Sequence, residues 1–202
     1  PVIQKACSRA LEAGFGLEAG FSLAERIVRY AKVPVFIMTY ANPVVTMGVE
    51  AFVARAAAAG AAGLIVPDLV PGADEGLYAA GRRASMPIVP VVVPTMEAGR
   101  LAEIASLKEE FIYAALRTGI TGRQTRIEPG TLAFLADCGR TGMKVVAGFG
   151  IRGPEQIEAL SHHVHAAVVG SALVEGIAQT AGFAADDIYS TVYDITRRLC
   201  GE

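Results

Sequence analysis

Lys144-Val-Val-Ala-Gly-Phe-Gly-Ile151 decides how the rest of this chain is read, because an apolar run ends there in two glycines that flank Phe149. His165-Ala-Ala-Val-Val-Gly-Ser171 repeats the pattern further along. Between them, Gly153-Pro154-Glu155-Gln156 reads as a helix start, and Ile157, Leu160 and Val164 give one apolar helical stripe. The order is strand, glycine turn, helix, strand, glycine turn, helix. Glycine is needed where backbone N–H groups must come within hydrogen-bond reach of an anion such as a phosphate, because a Cβ would stand in the way. A helix N-terminus behind the turn adds partial positive charge. Either turn alone reads as an ordinary turn or helix cap; the pair, in a chain of repeating units, points to a phosphate.

Working outward, six apolar runs read as strands: Pro34 to Thr39, Ala62 to Val66, Ile88 to Val93, Glu110 to Leu116, Lys144 to Gly148 and His165 to Gly170. Most are nearly continuous rather than alternating, as expected of parallel strands covered on both faces. Helical stretches separate them: Ser22 to Lys32, Val49 to Ala59, Ala73 to Ala84, Met96 to Ser106, Thr131 to Arg140 and Glu155 to Ser161, with Gln4 to Ala13 ahead of all. Unbroken alternation means an α/β fold. A (β/α)8 barrel, or TIM barrel, takes about 250 residues, roughly 31 per unit. The 202 residues here hold about six of eight strands. The expectation is therefore one phosphate-binding TIM-barrel domain over residues 1–202, lacking an N-terminal βαβ portion.

Two segments fall outside this rhythm. Leu11-Glu-Ala-Gly-Phe15 recurs as Leu17-Glu-Ala-Gly-Phe21, which reads as a local insertion in a surface connection. Thr118 to Pro129 is rich in Gly and Arg and has the composition of a mobile lid.

Composition narrows the function. With 52% hydrophobic residues the chain can bury a large core, and a net charge of -2 with dispersed Lys and Arg argues against nucleic acid and anionic membrane partners. A small neutral or anionic ligand fits better. Cys7, Cys138 and Cys200 are odd in number and lack CxxC spacing, which argues against a disulfide framework or zinc site and for a reducing cytoplasm. No apolar run is long enough for a membrane span, and the N-terminus lacks the basic-then-apolar pattern of a signal peptide. His162, His163 and His165 invite a metal reading, but no Cys or carboxylate joins them at ligand spacing.

Four segments together carry a family likeness: Met38-Thr-Tyr-Ala-Asn-Pro43, Leu64-Ile-Val-Pro-Asp-Leu69, Phe111-Ile-Tyr113 with Arg117-Thr-Gly-Ile-Thr-Gly122, and Gly148-Phe-Gly-Ile151 with Val169-Gly-Ser-Ala172. In this order, each at a strand end, they resemble the alpha subunit of tryptophan synthase. The resemblance implies a lyase that cleaves indole-3-glycerol phosphate to indole and glyceraldehyde 3-phosphate. It also implies a beta subunit, carrying the pyridoxal phosphate, that takes up the indole in an alpha2beta2 complex, with no cofactor in this chain.

By the same resemblance, Gly122, Gly150, Gly170 and Ser171 hold the substrate phosphate. Phe149, Tyr40, Tyr113 and Thr121 stand beside the substrate, Met38, Val92 and Ala115 line the pocket, and Arg117 belongs to the lid. Asp68 reads either as part of the partner-facing side or as a helix cap. Cleavage needs a proton donor at the indole ring and a base on the glycerol chain, so two carboxylates are wanted. The resemblance puts both ahead of Pro1, so the 202-residue chain alone is expected to be inactive, and neither Asp68 nor Glu110 is assigned in their place. Ala41 and Leu116 depart from the family pattern. Two other readings stay open: a non-catalytic phosphate-binding activator of the beta partner, and another phosphate-binding barrel isomerase.

Overall fold

The computed structural model describes residues 2–116, 127–180, 182 and 184–201, and the description below is confined to them. Six parallel strands run in chain order: β1 (Phe36–Met38), β2 (Gly63–Ile65), β3 (Val91–Val92), β4 (Phe111–Ala115), β5 (Lys144–Gly148) and β6 (Ala166–Ala167). β1 pairs with β2, and β3 to β6 form a second ladder in sequence order. The parallel bridge Leu64↔Ile88 joins the two ladders. Prolines explain the break: Pro87 and Pro90 have no N–H to give a neighbour, so the run from Ile88 to Val93 keeps one bridge and a two-residue strand. Their carbonyls still accept, Pro87 from Leu64 N–H at 2.9 Å and Pro90 from Tyr113 N–H at 2.8 Å. The strands form an arc with β1 and β6 at its ends, not a closed ring.

All six expected strands are present, β5 residue for residue and the others shortened at their ends. The helices are α1 (Val2–Glu12), α2 (Leu17–Tyr30), α3 (Ala41–Met47), α4 (Val49–Ala58), α5 (Leu77–Arg83), α6 (Ala98–Ala105), α7 (Pro129–Gly139), α8 (Pro154–Leu160), α9 (Ser171–Gln179) and α10 (Ala185–Leu199). Two of them, α3 and α10, have no counterpart in the sequence reading. α3 carries Pro43 in its first turn, where the missing N–H costs nothing, and its apolar residues blend into the preceding run. α10 carries Ile188, Val192, Ile195 and Leu199 at helical spacing and exposes Tyr189 and Tyr193 as a stacked pair. The pentapeptide repeat is also corrected: Leu17–Phe21 lies within α2 rather than in a connection, and Phe21 packs on Phe52 at 5.1 Å between ring centroids.

Period-two alternation sorts the core into an outer and an inner layer. Outside, Phe21, Phe52, Leu64 and Leu77 pack β2 against α2, α4 and α5, while Val92, Ile104, Ile112, Leu135, Val145 and Leu160 pack β3 to β5 against α6, α7 and α8. Inside, Tyr113 and Ala115 meet Phe36, Ile65, Val91, Val93, Phe111, Val146 and Phe149. Each fully buried aliphatic or aromatic side chain in these layers contributes about 1.5–3 kcal/mol. The inner layer ends, at the carboxyl side, in the glycine turns.

Candidate functional site

β5 ends in Gly148, and its glycine identity is set by packing. A Cβ there would fall inside the Tyr113 hydroxyl and within 3.1 Å of Val168 Cβ. Next come Phe149 with φ +75 and Gly150 with φ +93, two successive left-handed residues. For a phenylalanine that conformation costs about 1–3 kcal/mol and persists only where the surroundings impose it. The surroundings are visible: the Phe149 ring stands edge-on to Tyr113, 5.9 Å between centroids at 88°. Tyr113 is 4% exposed, and burial pushes its phenol up to about 12, so it stays a protonated donor at neutral pH.

The second turn is built differently. β6 pairs with β5 through Val146↔Ala166 and Ala147↔Ala167, so Gly150 and Gly170 each follow the last ladder pair by three residues. Gly170 caps α9 with φ -118 and ψ -63, a backbone open to any residue, and the nearest atom to a Cβ would be Ile3 Cδ1 at 4.0 Å. Neither packing nor torsion demands glycine here. Ser171 opens α9, whose first N–H groups have no partner within the helix. An anion resting there gains both these donors and the helix dipole.

Three side chains missed by sequence reasoning hold these turns. Gln156, 5% exposed, accepts from Arg152 N–H at 2.8 Å and Gly153 N–H at 3.2 Å, and its amide donates to the Gly150 carbonyl at 3.0 Å. Arg152 in turn pairs with Glu175 of α9. Gly-Pro-x-Gln carries half of a capping box, the glutamine reaching back to the N-cap, and that half was the available signal. Its reach to Gly150 appears only once the turn is folded.

The remaining expected residues separate. Ala115 faces the inner layer with Tyr113, and Met38 ends β1 with 48% of its surface exposed. Tyr40 is 70% exposed and caps α3. Val92 is a correction: it points outward into the helix layer, because the strand's alternation gives the inner face to Val91 and Val93. Gly122, Thr121 and Arg117 lie outside the described residues. Asp68 accepts from the N–H of Ala41 at 2.8 Å, capping α3 rather than a helix of its own. Glu110 belongs to the opposite, amino end of the strands, where it pairs with Lys144 at 2.7 Å. His162 and His163 follow α8, and His165 tilts on Phe111 at 6.0 Å. Cys7, Cys138 and Cys200 are free thiols.

Parallel strands in chain order, a helix on the outside of each, an inner layer of side chains and glycine turns at the carboxyl ends define a protein of the (β/α) barrel class. Its structure superimposes on the alpha subunit of the tryptophan synthase a2b2 complex of Pyrococcus furiosus with a TM-score of 0.87 and 27% identity, over 100% of this chain and 80% of that one. The family model of the tryptophan synthase alpha chain matches residues 1–196, and the chain belongs to that family. The tryptophan synthase alpha chain of Carboxydothermus hydrogenoformans is 38% identical over 176 residues, 87% of this chain and 66% of that protein. That of Rhizorhabdus wittichii is 37% identical over 100% of this chain and 76% of its own length. The chain thus spans about two thirds to three quarters of these curated relatives.

Proposed function

We propose that this chain binds the phosphate of indole-3-glycerol phosphate between the Gly150 turn and the start of α9, and serves the cleavage of that substrate to indole and glyceraldehyde 3-phosphate. Family membership supports the reaction. The observation that carries the phosphate site is Gly170: it is a glycine that neither its torsions nor its neighbours require, at the head of a nine-residue helix beside a second glycine turn. Gly150, Gly170 and Ser171 cradle the phosphate with main-chain donors, and Gly122 completes the cradle. Tyr113 and Phe149 wall the indole pocket together with Tyr40, Thr121, Met38 and Ala115, and Arg117 belongs to the covering segment.

The partner is a beta subunit, in keeping with the a2b2 complex named for Pyrococcus furiosus, and the pyridoxal phosphate belongs to that partner by the family resemblance. Three free thiols fit work in the cytoplasm. By the family resemblance the two catalytic carboxylates are not among these 202 residues, and Asp68 and Glu110 have other work, in capping α3 and in the pair with Lys144. The 202-residue polypeptide is therefore expected to bind phosphate ligands while releasing no indole. Titration with glycerol 3-phosphate followed by calorimetry, beside an indole-release assay, tests both halves. Heat of binding without turnover is the expected result; absence of binding overturns the phosphate site, and turnover overturns the expected inactivity.

A further inference from the structure

Among the described residues with an amide, carboxylate, ammonium, guanidinium or imidazole side chain, Gln156 is the buried one. Two N–H donors, from Arg152 and Gly153, meet its Oε1, and one acceptor, the Gly150 carbonyl, meets its Nε2, so the partners fix which way the amide points. The three bonds span the turn from Gly150 to Gly153 like a clasp. They explain how two successive left-handed residues are held: with the Gly150 carbonyl anchored and Phe149 packed on Tyr113, the turn cannot relax to extended backbone. The clasp also reaches the second turn, because Arg152, whose N–H it holds, sends its guanidinium to Glu175 of α9.

We infer that Gln156 is a positioning residue for the ligand phosphate: its amide holds the Gly150 turn in the left-handed form that presents N–H groups beside the head of α9. The inference rests on the phosphate reading of the preceding subsection. It assigns to Gln156 no contact with the ligand. A glutamate at this position keeps the acceptor side of the clasp but sets a carboxylate oxygen against the Gly150 carbonyl; burial and that opposed oxygen both favour the protonated carboxyl, whose O–H donates to the carbonyl as the amide did. The clasp then closes again.

The test is the affinity of the 202-residue chain and of Gln156→Glu for glycerol 3-phosphate, at about pH 8 and about pH 5.5, each taken as the ratio of variant to wild type so that the ligand's own titration cancels. At the higher pH the variant is expected to bind about tenfold more weakly, the effect of a lost hydrogen bond to the turn, and the ratio is expected to close to within about threefold at the lower pH. Gln156→Met, which keeps the volume and drops all three bonds, should show a similar loss at both values, and it carries the test if the glutamate variant does not fold at pH 8. Equal affinity of either folded variant with wild type at about pH 8 overturns the inference. So does a loss in Gln156→Glu that persists unchanged at low pH, since a restored donor to the Gly150 carbonyl would then leave binding unaltered. If the wild-type chain itself takes up no glycerol 3-phosphate, the phosphate reading falls and the inference with it.

Discussion

Gly148–Gly150 and Gly170–Ser171 close neighbouring strands, and their glycines stand there for different reasons. At the first turn the fold itself asks for glycine: Tyr113 occupies the space of a Cβ at Gly148, and Gly150 takes a φ of +93. At the second nothing in the polypeptide does, since Gly170 has ordinary torsions and open space where a side chain would be. One glycine turn is structural and the other is free for a ligand. A motif search scores the two alike, whereas substitution separates them into losses of stability and losses of binding.

The largest effect is expected at Gly148. Gly148→Ala forces the methyl against Tyr113 and Val168, an overpacking that costs about 1–3 kcal/mol, and the melting temperature should fall by about 2–12 °C. An unchanged melting temperature would mean that Tyr113 has room to yield, and the contrast with Gly170 would vanish.

Next in size is the alkaline behaviour of Tyr113, the side chain that dictates Gly148. Burial raises its phenol from 10.0 to about 12, so above pH 10 the unfolded chain releases the proton first and stability drops between those two values. That drop amounts to about 2 kcal/mol by pH 12. Tyr113→Phe should flatten this part of the slope in urea unfolding measured across the window, leaving the shares of Tyr78, also raised by burial, and of Cys138, whose thiol burial pushes up to about 12.

Gly170→Ala sharpens the comparison from the other side. Losing backbone entropy in the unfolded state stabilises and losing a glycine N-cap destabilises, each by a few tenths to about 1 kcal/mol, so the melting temperature should hardly move. Affinity for glycerol 3-phosphate should fall about tenfold, because the methyl keeps the phosphate from the N–H groups. A fall in melting temperature with unaltered affinity would reverse the assignment of the two turns. The smallest change belongs to Ser171→Ala, which removes a hydroxyl and leaves the N–H; about 1 kcal/mol of binding, or up to fivefold in affinity, is expected in the same titration.

Much of this was legible from residue order. The strand runs were readable because helix-backed parallel strands are apolar throughout, and β5 was bounded by a lysine and a glycine that leave no choice of ends. The prolines around Ile88 gave less warning: they cut a six-residue run to two, since a strand needs N–H groups as well as apolar side chains. Val92 shows where period fails, for in Val91-Val92-Val93 every residue is equally apolar and nothing but the fold says which faces inward. The clasp of Gln156 and the cap that Asp68 places on α3, 27 residues away, depend on contacts between distant parts of the chain. Gly170 looked like Gly148 because a missing Cβ carries no mark of what fills the space.

The pentapeptide that occurs twice near the start gives the chain a seam. Phe21 in the second copy is 2% exposed and lies under the guanidinium of Arg55 at 4.9 Å, whereas Phe15 in the first remains 42% exposed. Only one of the identical words is read by the interior. Ala13 to Gly16, solvent-facing throughout, is accordingly where length can be trimmed or a reporter spliced in while the packed copy keeps its place.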